Sequence, residues 1–103
     1  MSSQPQLDRR VAEALGRRFR DLREVAGLSQ EQVANLAGIN RNHYQLLETG
    51  LSDRAKNTPA NPRLSTLVAL CDVYGTTVPD LVIEVFGQPA NHPTIEVDLP
   101  PHA

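Results

Sequence analysis

The chain has 103 residues with 12 acidic and 10 basic side chains, a formal net charge of −2, and 40% hydrophobic but only 4% aromatic residues. That length predicts one domain with a small core built from Leu, Val and Ala, with no separate small-molecule domain. A single cysteine (Cys71), a polar start (MSSQPQLDRR) and the lack of an apolar run of ~20 residues argue against a disulfide framework, a cysteine zinc site, a signal peptide and a membrane span, and fit a reducing cytoplasm.

The charge is not evenly spread. Residues 1–63 hold all ten Lys/Arg against seven acids, whereas residues 64–103 hold five acids and no Lys or Arg. A local basic face, rather than a basic average, is what a polyanion requires. The same distribution keeps the C-terminal part away from such a partner.

Residues 1–8 are polar and read as a flexible N-terminus, residues 9–87 as the domain and residues 88–103 as a proline-rich acidic tail. From Arg9 to Ala26 the apolar positions Val11, Leu15, Phe19, Leu22 and Ala26 recur at steps of three or four, which predicts an amphipathic helix closed by Gly27. Ser29 is the expected cap of a second helix, and Gln32 completes a capping-box pattern. That helix stops at Gly38, where glycine takes a left-handed cap without a Cβ penalty. Asn40 is the expected cap of a third helix that runs to about Glu48 and ends before Gly50.

The stretch QEQVANLAGINRNHYQLLETG, Gln30 to Gly50, is therefore two short helices hinged at Ala37-Gly38-Ile39. Val33, Ala37, Ile39, Tyr44 and Leu47 face inward, and Ala34 is small where the helices meet. Asn40, Arg41, Asn42, Gln45 and Thr49 are left outward, side chains suited to hydrogen-bonding base edges or phosphates. The competing reading is a helical hairpin within a core that touches no nucleic acid.

Residues 51–62 hold two prolines and no periodicity, which predicts a loop. Its cations Arg54, Lys56 and Arg63 either solvate that loop or lie along a phosphate backbone, each releasing a counterion. A fourth helix follows with Leu64, Leu67, Val68, Leu70, Cys71 and Tyr74 inward and Gly75 as its stop. Thr77 caps a fifth helix to about Phe86, with Pro79 in its first turn and Asp80 near its positive end. Val82, Val85 and Phe86 offer an exposed apolar strip for a second copy of the chain, extended by Thr94–Leu99, which alternates as a short strand does.

The runs LREVAGLSQEQVANLAGINRNHYQLLETG and PRLSTLVALCDVYGTTVPDLV resemble the Cro/C1-type (lambda-repressor-like, XRE) helix-turn-helix family from about Arg17 to Val82. The resemblance implies an all-α, five-helix domain that binds double-stranded operator DNA as a homodimer and regulates transcription. It implies a phosphate contact for Gln30, base-facing positions for Arg41, Asn42 and Leu46 with Asn40, Gln45 and Thr49 beside them, and an ion pair between Arg23 and Glu48. The chain departs from the family in its long segment after Gly50 and in Leu46, apolar where a polar base reader is common. A leucine there suits a thymine methyl or a weaker code.

No cofactor and no metal are expected: His43, His92 and His102 do not cluster, and Cys71 falls at a core spacing. There is no glycine-rich phosphate loop and no nucleophile–base arrangement, so an enzyme is not expected. The alternative class is an antitoxin or adaptor whose tail, residues 88–103, binds a protein partner and folds on contact. Deleting that tail separates the two, since an adaptor's tail is dispensable for DNA binding and a dimerising tail is not.

Overall fold

The computed structural model describes residues 9–53, 55 and 58–87. Five helices follow in order: α1 (Arg9–Ala26), α2 (Gln30–Ala37), α3 (Arg41–Thr49), α4 (Leu64–Tyr74) and α5 (Val78–Phe86). Between α3 and α4 lie two short strands, β1 (Leu51–Asp53) and β2 (Thr58–Pro59), paired antiparallel.

The caps explain the boundaries. Ser29 and Gln32 form a full capping box at the start of α2, each side chain accepting from the other's backbone N–H. Asn40 Oδ1 accepts from the amides of Asn42 and His43 at 2.7 and 3.3 Å, and Thr77 Oγ1 accepts from Asp80 N at 3.2 Å. Between α2 and α3, Gly38 takes φ +73°, and the Ile39 N–H returns to Ala34 O at 3.0 Å, turning the chain in two residues.

α1 packs most extensively along α3, α2 bridges α3 and α4, and α5 lies against α1 and α4. Phe19 of α1 sits at the centre, fully buried, with ring centroids 6.5 Å from Tyr44 and 6.4 Å from Tyr74. Val33, Ala34, Leu47, Leu70 and Leu81 complete the contact from the other four helices. Gly16 makes the α1–α3 crossing possible: a Cβ placed there would lie 2.5 Å from the carbonyl oxygens of both Leu47 and Glu48.

Three expectations fail. Residues 51–53 and 58–59 are not loop but paired strands: Leu51 pairs with Pro59, Asp53 with Thr58, and Ala60 N–H bonds Gly50 O at 2.8 Å, anchoring Ala60 in the core. Strands of two or three residues carry no readable alternation, and Pro59 tolerates a place in a two-stranded edge. In α4, Leu64 (66% exposed) and Val68 (45%) face outward, because the buried side is set by Thr66, Leu70 and Cys71. Ala26, in the last turn of α1, is exposed, while Ala12 and Gly16 take the buried places that smaller side chains allow. The tail at residues 88–103, with its Thr94–Leu99 alternation, lies outside the described residues.

Candidate nucleic-acid interface

The outward side of α3 is built by spacing. Asn42, Gln45, Leu46 and Thr49 fall at steps of three, four and seven and share one face, opposite the buried Tyr44 and Leu47. Arg41, Asn42 and Thr49 are exposed; Gln45 and Leu46 are half-buried. Two of these side chains are partly committed. Asn40 spends its carbonyl oxygen on the helix cap and keeps its NH2 as a donor, and Thr49 donates its hydroxyl proton to Leu46 O at 2.7 Å and keeps its acceptor lone pairs.

Behind this face is a polar node centred on Glu48. Arg23 Nε reaches Glu48 Oε2 at 2.6 Å and its terminal nitrogen Nη2 reaches Oε1 at 3.1 Å, a two-bond pair, while Nη1 donates to Leu28 O at 3.1 Å. Gln30 Nε2, from the first residue of α2, donates to the same Oε1 at 2.9 Å. Side-chain exposure is 17% for Arg23 and 4% for Glu48, so the pair is largely withdrawn from water. Burial pushes the Glu48 carboxyl up, but hydrogen bonds from Arg23, Tyr44 and Gln30 outweigh it and hold the group below its ordinary value. The hydrogen bond to Glu48 likewise raises the Arg23 guanidinium.

The node extends inward. The Tyr44 and Tyr74 hydroxyls lie 2.5 Å apart, joining α3 to the end of α4. Burial pushes Tyr74 up to about 12 and Tyr44 higher still, so both stay neutral and share one hydrogen bond in which either hydroxyl can donate. Sequence reasoning did not find this pair: each tyrosine reads as an apolar core position on its own helix.

Two open polar clefts flank α3. One, of about 430 Å³, is lined by Arg20, Arg23, Gln30, Arg41 and Glu48 among others. The other, of about 420 Å³, lies between Asn40 and His43 on one side and Arg63 and Ser65 on the other. Arg63 is exposed and occupies the N-cap position of α4 without capping it. Arg20, which in sequence is one of several interleaved charges on α1, joins Arg41 in the first cleft; only the crossing of α1 over α3 reveals it. Arg54 and Lys56 lie outside the described residues.

The α5 strip divides. Val82 is 42% and Phe86 49% exposed and Val85 is half-buried, and all three line a groove of about 150 Å³ with Val11, Leu15 and Leu67. Ile83, 42% exposed, continues the strip. Arg18 Nε holds Glu84 Oε1 at 2.7 Å and fixes α5 to α1. Among the described residues no single helix is long and apolar enough to cross a membrane.

Residues 14–82 match the family described as "Helix-turn-helix domain". The cryptic phage CTXphi transcriptional repressor RstR of Vibrio cholerae is 35% identical over 65 residues, covering 63% of this chain and 51% of that protein. Control protein C.SmaI of Serratia marcescens is 32% identical over 72 residues, covering 70% of this chain and 76% of that protein. Among solved structures, the clp gene regulator ClgR of Corynebacterium glutamicum superposes with a TM-score of 0.62 at 25% identity, covering 81% of this chain and 78% of that one. The chain thus spans about half the length of the phage repressor. With a hinge at Gly38 between two capped short helices and a family match across all five helices but the start of α1 and the end of α5, the chain belongs to the helix-turn-helix family, of the Cro/C1 type.

Proposed function

We propose that the protein is a transcriptional regulator that reads a palindromic DNA operator as a homodimer, with α3 in the major groove. The observation that carries this is the rigid mounting of an exposed polar face. Arg41, Asn42, Gln45 and Thr49 stand on a helix whose base is tied to α1 and α2 through Glu48. A face held this way loses little ordering entropy on binding.

In this reading Arg41 pairs with a guanine edge, Asn42 with an adenine, and Leu46 packs on a thymine methyl. Gln45 and the remaining Thr49 and Asn40 groups bond beside them. Gln30, Arg63 and the cations of residues 54 and 56 face phosphates, which set register rather than sequence. Selection from a randomised palindrome pool is expected to enrich one sequence. Arg41→Ala is then expected to cost ~1–3 kcal/mol at one base position and to relax specificity there. A pool that enriches nothing, together with an Arg41→Ala variant that binds as well as the parent, overturns the reading.

A single module of this kind buries only ~600–1,000 Å² on DNA, too little for tight selective binding by itself. Two copies joined through Val82 and Phe86 would present their α3 helices to half-sites ~34–36 Å apart. Phe86→Glu, on a half-exposed position, is expected to leave the domain folded while shifting sedimentation toward monomer and weakening operator binding at least tenfold. A dimer that survives this charge excludes the α5 strip as its interface.

A further inference from the structure

A helix of ~10–12 Å diameter nearly fills a major groove ~12 Å wide, so both of its flanks approach a phosphate strand. One flank of α3 opens on the cleft that holds Gln30 and Arg41. The other opens on the cleft where His43 faces Arg63, which comes from the start of α4. His43 stands one turn ahead of Leu46 and Leu47, so its ring lies beside the reading face and not within it. It is exposed, and its backbone N–H is already satisfied by Asn40. The groups facing it are Arg63 and the neutral Asn40, Asn61, Ser65 and Thr66, and among the described residues no acidic side chain lines the cleft.

Beside an arginine and no carboxylate, the imidazole finds nothing lining the cleft that would hold its proton, so an anion from outside the protein must supply that charge. We propose that His43 is a DNA-backbone contact of this chain, donating from a protonated imidazole to the phosphate strand that Arg63 also faces. This rests on the reading of α3 as the groove-bound helix. Neutral imidazole carries no charge and donates one N–H; the protonated form donates two and releases one more counterion from the DNA. Binding through the protonated form therefore takes up a proton, so affinity rises as pH falls.

The test is fluorescence anisotropy of the full chain on two labelled duplexes, the sequence recovered from the palindrome pool and an unrelated one of equal length. With salt fixed, affinity is expected to rise roughly tenfold per subunit between pH 8.5 and pH 5.5. The salt slope at the acidic end should steepen by ~0.9 per subunit, a change that a purely structural residue does not produce. His43→Gln is expected to melt like the parent and to lose both effects. His43→Lys should bind tightly at either end of the range.

A parent whose affinity is flat with pH overturns the proposal. So does a His43→Gln variant that keeps the pH dependence, because its source would then lie elsewhere in the chain. In both cases DNA binding remains, and the function reading with it. A protein that binds neither duplex at any pH overturns that reading and this proposal together.

Discussion

Glu48→Ala is expected to destabilise the fold by ~3 kcal/mol, the lower end of the cost of stranding one member of a buried ion pair, because this pair is part-buried beside an open cleft. Arg23 keeps only the Leu28 carbonyl after the change, and its remaining donors are left to the water of the cleft that Arg20 and Arg41 also line. Against a total stability of ~5–15 kcal/mol for a domain of this size, that loss removes at least about a fifth of the margin that keeps the domain folded. Urea unfolding checks it: a midpoint that corresponds to less than ~1 kcal/mol of loss would show the pair to be a surface ornament. Replacing both partners, Arg23→Met with Glu48→Met, should cost less than either single change, because no charge is left buried.

The same carboxylate sets an acid limit. Its folded value lies below the ordinary 4.5. The stability it contributes is therefore complete above that ordinary value and is lost as pH falls through the lower, folded one. Melts from pH 7 downward should show this loss in the parent, and Glu48→Gln should lack that part of the slope. There is a functional counterpart, because the Gln30 amide is oriented by Glu48 Oε1. Glu48→Gln at neutral pH should weaken DNA binding at low salt even where the protein remains folded, since one amide oxygen must then serve the donors of both Arg23 and Gln30 and aims the first side chain of α2 less firmly.

How much of this was legible in the chain depends on the length scale of the cause. Ser29, Gln32, Asn40, Thr77 and Gly38 act on neighbours two to four residues away, so their residue types announce the helix ends. Phe19, Val33 and Leu47 obey the helical period, so their burial follows from spacing. The contacts between Arg23 and Glu48, Tyr44 and Tyr74, and Arg18 and Glu84 span 25, 30 and 66 residues. No local pattern encodes them; family resemblance suggested only the first. Leu64 and Val68 show the converse error: an apolar residue at a helical spacing is inward only if a neighbouring element is there to cover it, and α4 is covered on the Thr66–Leu70 side. Residues 51–62 hid a pairing too short to alternate. Arg20 and His43 were visible as residues, but their assignment to the clefts beside α3 needed the crossing angles that bring α1 and α4 alongside.

Gly16 gives the sharpest case, because local and tertiary physics predict opposite signs. In an exposed helix interior, replacing glycine by alanine stabilises by ~1 kcal/mol through helix propensity. Here the added methyl meets the carbonyl oxygens of Leu47 and Glu48 at 2.5 Å, and backbone cannot rotate away as a side chain can. The only relief is to separate α1 from α3, which opens the core around Phe19 and stretches the Arg23–Glu48 pair. Gly16→Ala is therefore expected to destabilise by ~3 kcal/mol, at the upper end of overpacking costs. For a domain of this size that lowers the melting temperature by about 10–20 °C. Gly38→Ala is the control: its φ is +73° but nothing lies within 4 Å of the added carbon, so only the conformational cost of ~1–2 kcal/mol applies. If Gly16→Ala melts at or above the parent temperature, the two helices do not approach as closely as the fold requires. Because the displaced helix is the one proposed to read DNA, the folded fraction of Gly16→Ala should also bind operator more weakly than its stability alone explains. Gly38→Ala, which leaves the α1–α3 crossing intact, should lose binding only in proportion to unfolding.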